Sequence, residues 1–323
     1  MALLDAFRAA LAEAGAAGLL IAADATLASA AFQTADVGEL VPLVRDDAYL
    51  PALLELVDKH DVGLLVPLTD LDLLMLAAER GRFAEAGCTV MIGSPEAARL
   101  CRDKTRLAGL CRRAGLGAIE TFSLEAFRRR PFYPCFVKPV GGSAGIGAAA
   151  IADERQLEAH VARFGEDLLV QQSVEGQEFT VDVYRSRDGA VRCVVPRQRL
   201  AVRCGEVAQG ITVRDERLIA DTVKLAGLLG DLWGVFCCQC RRGADGVPRF
   251  FEVNARFGGG APLSIAAGAD LPLYLIQEVL GLPITAEMDD FTDRLLMLRY
   301  DRAVFVEADD PTALPGYDTP SFR

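Results

Sequence analysis

The sequence predicts an α/β unit followed by an α+β unit, and three observations carry that prediction. Up to about residue 93, strand-length apolar runs alternate with helix-patterned stretches, the signature of a small parallel sheet with covered faces. Further on, apolar runs are joined by tight turns, Arg187-Asp188-Gly189 and Ala244-Asp245-Gly246, which signals antiparallel hairpins. With 323 residues, 51% of them apolar and 24% charged, the chain has the composition of a globular protein with a sizeable core.

Taken in order, Leu3 to Ala14 has helical spacing and stops at Gly15. The pattern then predicts strands over 18–24, 62–68 and 89–92, with helices over 49–59 and 70–80 between them. No GxGxxG follows the first strand, so a dinucleotide fingerprint is missing. Ser94 and Pro95 open the next helix as N-cap and first helical residue. The segment Pro134 to Pro139 reads as a short strand with Lys138 in its apolar middle, and Gly141 to Gly147 as a glycine-rich turn before another strand, 148–151. Strands are expected at 168–172, 179–184, 234–240 and 250–254, with an amphipathic helix over 214–229 between the second and third of these. The expected division is 1–93 for the α/β unit, 94–287 for the α+β unit, with a sub-region over about 118–172, and 288–323 for a last strand and tail.

The formal charge of −11 and a pI near 4.8 argue against nucleic acid or an anionic membrane as a main partner. No apolar run approaches the ~18 residues of a membrane span, and charged residues in the first thirty argue against a signal peptide, so a cytoplasmic protein is expected. The nine cysteines lack paired CxxC spacing and there are only two histidines, which favours buried free thiols over a zinc site and disfavours a histidine-dependent triad.

The residues with chemical promise are scattered. In Phe250-Phe251-Glu252-Val253-Asn254-Ala255-Arg256, alternation puts Glu252 and Asn254 on one strand face, about 7 Å apart along it, with Phe251 and Val253 on the other. A carboxylate and an amide oxygen so placed suit a hard cation such as Mg²⁺, while a satisfied polar strand end explains the same seven residues. A lysine in an apolar strand is costly without a partner, so Lys138 calls for an anion. The glycine-rich turn is able to offer backbone N–H groups to phosphates, or to be a plain hairpin turn. Arg197, Arg199 and Arg203 share one parity, as a solvated basic face also would.

Lys104, Val137-Lys138-Pro139, Gly141 to Gly147, Gln171-Gln172, Gly176-Gln177-Glu178, Gln239 and Glu252-Val253-Asn254-Ala255-Arg256 occur in the order found in ATP-grasp ligases. Over about residues 18 to 285 the sequence resembles the carbamoyl-phosphate-synthase-like branch, in particular the small stand-alone proteins named after that enzyme's large subunit. The resemblance implies the ATP-grasp fold, two α+β subdomains enclosing ATP, preceded by a small parallel-sheet α/β domain. It implies that Lys104 and Lys138 hold phosphates and that Gly141, Gly142, Ser143, Ala144 and Gly145 belong to a closing lid. By the same resemblance Gln171, Gln172 and Ser173 meet adenine largely through backbone, and Glu178 accepts ribose hydroxyls. Gln239, Glu252 and Asn254 fall at Mg²⁺ positions, with two ions implied and Mn²⁺ an alternative. Arg256 faces the γ-phosphate or an acyl phosphate, and Arg203 is a further phosphate or substrate contact.

The activity so implied is phosphorylation of a small-molecule carboxylate by ATP and attack of an amine on the acyl phosphate, amino acids being candidate substrates and a homodimer being compatible with the family. Phosphoryl transfer asks for charge neutralisation and alignment more than for a base, so the shortage of histidine is no objection. Two alternatives stay open: phosphorylation of bicarbonate or carbamate, and nucleotide binding without turnover. The chain departs from the pattern in starting in a helix where the family starts in a strand, and in carrying Gln172 where the hinge often carries glutamate. It also has one ATP-grasp unit, far less than a full carbamoyl phosphate synthase.

Overall fold

The computed structural model describes residues 1–140, 147–203 and 205–307. The first unit has two separate pairs of parallel strands where the sequence predicts a single sheet. Ile21–Asp24 pairs with Val37–Leu40, and Leu64–Leu65 pairs with Thr89–Val90. The helix Ala30–Thr34 and the strand Val37–Leu40 fall in a stretch where short, mixed sequence gives no periodicity to read. The helices Tyr49–His60 and Leu73–Glu85 cover the second pair and send Leu53, Val57, Leu73, Leu76 and Phe83 into the main core. Helix Leu73–Glu85 begins three residues later than its pattern predicts, which leaves Asp70 and Asp72 in the turn after the strand.

The large sheet has seven strands among the described residues, in the order 296–298, 206–212, 191–203, 177–185, 234–242, 248–254 and 117–118. All pairings are antiparallel except the last, where Gly117–Ala118 runs parallel to its neighbour. Alternation along the central strands separates the two faces. Phe179, Val181, Val183, Phe236, Cys238, Cys240 and Val253 enter the core that they share with the helices of the first unit. Glu178, Thr180, Asp182, Gln239 and Arg241 alternate with them and share the opposite, polar face.

One expectation about these faces is corrected. Gln239 pairs with Glu252 but Cys240 pairs with Phe250, so Phe251 is the extra residue of a β-bulge. The bulge turns Phe250 into the core, where it is fully buried beside Val253, and leaves Phe251 half-buried. Phe250, and not Phe251, therefore shares the apolar side with Val253.

A second sheet of four strands, in the order 121–123, 168–172, 135–139 and 149–151, has its own core of Leu124, Phe127, Cys135, Val137, Ile151, Leu157 and Val170. The chain returns from it to the large sheet through Gly176, at φ +137°, where a Cβ would lie 2.1 Å from the Arg242 carbonyl oxygen. Only glycine fits there. All eight described cysteines are free and buried, as their spacing predicts, and among the described residues no helix is long and apolar enough to cross a membrane.

Candidate active site

The two sheets meet at Lys138. It lies on strand Cys135–Pro139 of the small sheet, and its Nζ sits 5.5 Å from the centre of the Phe251 ring on the large one. Burial pulls its pKa down to about 8; the Glu252 and Glu178 carboxylates resist that fall and Lys104 adds to it. Lys104 is the first residue of helix Lys104–Arg113, whose start is fixed by the Asp103 carboxylate accepting from the N–H groups of Thr105 and Arg106. Its side chain is 10% exposed and its Nζ reaches Glu252 Oε1 at 3.4 Å. Two lysines from different elements thus converge on one carboxylate, an excess of positive charge in a largely dry place.

Around that carboxylate lie oxygen donors. Gln239 and Glu252 are directly paired across adjacent strands, and Thr180 is the next partner in the same row. Asn254 is 8% exposed, and its amide nitrogen faces the Cys237 thiol at 3.9 Å. Among the described residues no three histidine, cysteine, aspartate or glutamate side chains converge on a metal-sized space. A single carboxylate with two amide oxygens fits Mg²⁺, an ion that keeps waters and takes phosphate oxygens for the rest of its shell.

Glu178, on the same face, is gripped by two arginines, Arg199 Nε at 3.1 Å and Arg241 Nη2 at 2.6 Å. Arg241 also donates to the Val174 carbonyl at 3.3 Å, which ties Glu178 to the segment entering the large sheet. Arg199 Nε is close enough for an ion pair but too poorly aligned to hydrogen-bond, and no other partner among the described residues completes it. Arg197, of the same parity, is buried in a pair with Asp182. Neither of these two belongs to a solvated basic face.

The other expected residues fall as follows. Gln171 is buried, donates its amide to Thr121 Oγ1 at 2.8 Å, and lies on a strand paired on both sides. The N–H of Gln172 goes to the Glu120 carbonyl, its side chain is exposed, and Ser173 lies exposed just past the strand end. Gly141, Gly142, Ser143, Ala144 and Gly145 lie outside the described residues. Arg256 meets Asp70, its Nε and Nη2 at 2.9 and 2.5 Å from the two carboxylate oxygens. Arg203, more than half exposed, goes to Asp301 at 2.6 Å.

Sequence reading passed over Asp70, Asp72 and Arg241. A signal for the two aspartates was present, since they follow the apolar parallel strand 62–68, and ligand crevices form beyond the carboxyl ends of such strands. Arg241 carries no comparable mark, because its role depends on strand register.

Three family models match the chain: "ATP-grasp in the biosynthetic pathway with Ter operon" over residues 164–301, "PylC-like, N-terminal domain" over 1–91, and "D-ala D-ala ligase C-terminus" over 113–202. No curated protein matches at a significant level. Among solved structures, a biotin carboxylase from Campylobacter jejuni in complex with β,γ-ATP is similar at a TM-score of 0.71 and 19% identity, over 88% of this chain and 70% of that one. The ADP complex of N5-carboxyaminoimidazole ribonucleotide synthetase gives 0.70 and 19%, over 88% and 76%. An L-amino acid ligase from Bacillus licheniformis gives 0.60 and 18%, over 76% and 63%. At these identities the structural likeness speaks for the fold, which is the ATP-grasp fold preceded by a PylC-like domain.

Proposed function

Because the chain is an ATP-grasp protein, we propose that it is an ATP-dependent ligase that activates a small-molecule carboxylate as its acyl phosphate for attack by an amine. The observation that carries this reading is the convergence of Lys104 and Lys138 on Glu252, beside Gln239 and Asn254. That set supplies cations for a polyphosphate and oxygens for a metal, with no general base, which is what phosphoryl transfer asks for. ATP lies between the two sheets in this reading, within an ATP-grasp domain over 94–287 whose lid spans about 118–172.

Lys104 and Lys138 hold the phosphates, and Gln171 to Ser173 line the adenine side. Glu178, oriented by Arg199 and Arg241, takes the ribose hydroxyls. Glu252, Asn254 and Gln239 would hold Mg²⁺, in this reading two ions, and the metal would supply charge neutralisation on the transferred phosphoryl group. A carboxylate oxygen of the acid attacks the γ-phosphorus and ADP leaves. The amine then attacks the acyl carbon, phosphate leaves, and the new nitrogen loses a proton. Arg256 faces the acyl phosphate, and Arg203 serves the substrate side from the sheet edge.

The test is phosphate release from MgATP, measured with pooled amino acids and, separately, with bicarbonate and ammonia. Release that depends on an acid together with an amine, with an amide product in the mass spectrum, is the expected result. Release that bicarbonate alone stimulates would move the protein to the carboxylase class, and nucleotide binding with no release under any pool would reduce it to a binding module.

A further inference from the structure

Arg256 ends on Asp70, a residue of the first unit. Both carboxylate oxygens are engaged, the third guanidinium nitrogen donates to the Phe257 carbonyl at 2.9 Å, and the two side chains are only 19% and 24% exposed. The loop that brings Asp70 there is fixed from behind, since Arg102 donates to its main-chain carbonyl. Two residues on, Asp72 is 5% exposed. Its Oδ2 accepts from the Tyr49 hydroxyl at 3.0 Å, but its Oδ1 is buried with no hydrogen-bond partner among the described residues. Burial raises the Asp72 carboxyl, Asp70 raises it further, and Arg256 acts against them, so the three groups sense one another. Glu206 acts on the Arg256 guanidinium as well, and its carboxylate lies where a Cβ on Gly259 would stand, 1.6 Å from Oε2. Arg256 therefore has Asp70 as its direct partner and two further carboxylates in reach, Glu206, which Arg299 also meets at 3.7 Å, and Asp72, which has an oxygen still lacking a donor among the described residues.

This arrangement discriminates between ligands by charge balance. A ligand that brings only a carboxylate displaces Asp70 from Arg256 and leaves Asp70 as a partly buried anion without a cation, which is strongly unfavourable. Bicarbonate and simple carboxylic acids are of that kind. A ligand with adjacent charges of both signs replaces each half of the pair. Its carboxylate takes the fork of Arg256, and its ammonium, with three donors, takes Asp70 and has one to spare for an unpartnered oxygen.

We infer that the Asp70–Arg256 pair opens to receive an α-amino acid zwitterion as the acid substrate, with its carboxylate on Arg256, its ammonium on Asp70, and Asp72 Oδ1 as a further acceptor. The inference rests on the ligase reading above and names the substrate class. It also gives Asp70 a chemical task beyond recognition: an amino group held there stays protonated, so the activated acid does not serve as its own nucleophile.

The experiment is calorimetric titration of the full chain, loaded with Mg²⁺ and a non-hydrolysable ATP analogue. The probes are the standard amino acids and, for each that binds, its N-acetyl derivative and its decarboxylated amine. We expect at least one amino acid to bind and both of its single-charge analogues to bind about 10- to 100-fold more weakly. In Asp70→Asn the amino acid should weaken by a similar factor while the N-acetyl derivative gains, because Arg256 no longer has a competing carboxylate. Asp70→Glu should restore part of the loss, and the affinity for the ATP analogue should be the same in all three proteins. A merely structural Asp70 would not invert the order of the two ligands. Failure of every amino acid to bind, equal binding of parent and N-acetyl derivative, or an unchanged order in Asp70→Asn would overturn the inference. Phosphate release is read alongside. Amino acid binding without release sinks the ligase reading and leaves the zwitterion site standing, whereas release that depends on an amine and a carboxylic acid without an amino group, with no amino acid bound, does the reverse.

Discussion

Two clusters of opposite charges lie on the polar face of the same sheet, and they are built differently. At one end Arg197 and Asp182 are 1% and 0% exposed and joined by two hydrogen bonds of 2.7 and 2.9 Å, with Ser264 donating to Asp182 at 2.6 Å. Gly260 closes over them so tightly that a Cβ there would fall 2.1 Å from Arg197 Nη1. At the other end Lys104 and Lys138 share Glu252, the nearer at 3.4 Å, and burial draws Lys138 down to about 8. The first cluster balances its charges and excludes any ligand. The second has a cation in excess. The comparison teaches that a buried charge by itself does not mark a site; an uncompensated one does.

Breaking the balanced cluster should give the largest effect on the fold. Asp182→Ala leaves a fully buried guanidinium without a partner, which costs about 3–5 kcal/mol, and urea unfolding should read that loss. A change below about 1 kcal/mol, the usual scale for exposed pairs, would mean that the cluster is no anchor. Breaking the other cluster should leave the fold alone. Glu252→Gln removes the carboxylate between the lysines and should lower turnover about 10²- to 10³-fold, with the unfolding midpoint close to that of the parent. Near-normal turnover would take the metal role away from Glu252.

The architecture was largely legible in the sequence because hairpin turns and alternation are local properties. The antiparallel strands around Asp188-Gly189 and Asp245-Gly246 are where the pattern places them. The exceptions are instructive. The bulge at Phe251 shifts one residue's face, and nothing in Phe250-Phe251 tells which ring goes inward. Residues 25–48 contain a helix and a strand too short for periodicity to register. For the site, the order of the motifs pointed to Lys104, Lys138 and Glu252, and the structure brings these together. What the sequence could not supply is pairing at long range. Arg256 lies 186 residues from Asp70, and no local rule connects them. Arg203, expected among the ligand contacts, is engaged by Asp301, 98 residues on.

The smallest expected effect sharpens the comparison most, because it has two readouts of opposite sign. Phosphate favours charged Lys138, so ATP affinity in the ligand-free protein should be full below about 8 and fall as pH rises through that value, by at most about tenfold per pH unit. Stability should move the other way. The same lysine in the unfolded chain titrates near its ordinary 10.5, so between about 8 and 10.5 the unfolded state holds a proton that the folded state has released, and rising pH favours folding. The balanced Arg197–Asp182 cluster contributes to neither slope in this window, since a guanidinium keeps its charge throughout it. Lys138→Ala should weaken ATP about 10- to 100-fold at neutral pH and flatten both slopes together. Glu252, Glu178 and Lys104 are the charged groups that act on Lys138, and a slope that survives in Lys138→Ala would show that the titrating group is not Lys138. The excess charge of the second cluster would then not reside on Lys138.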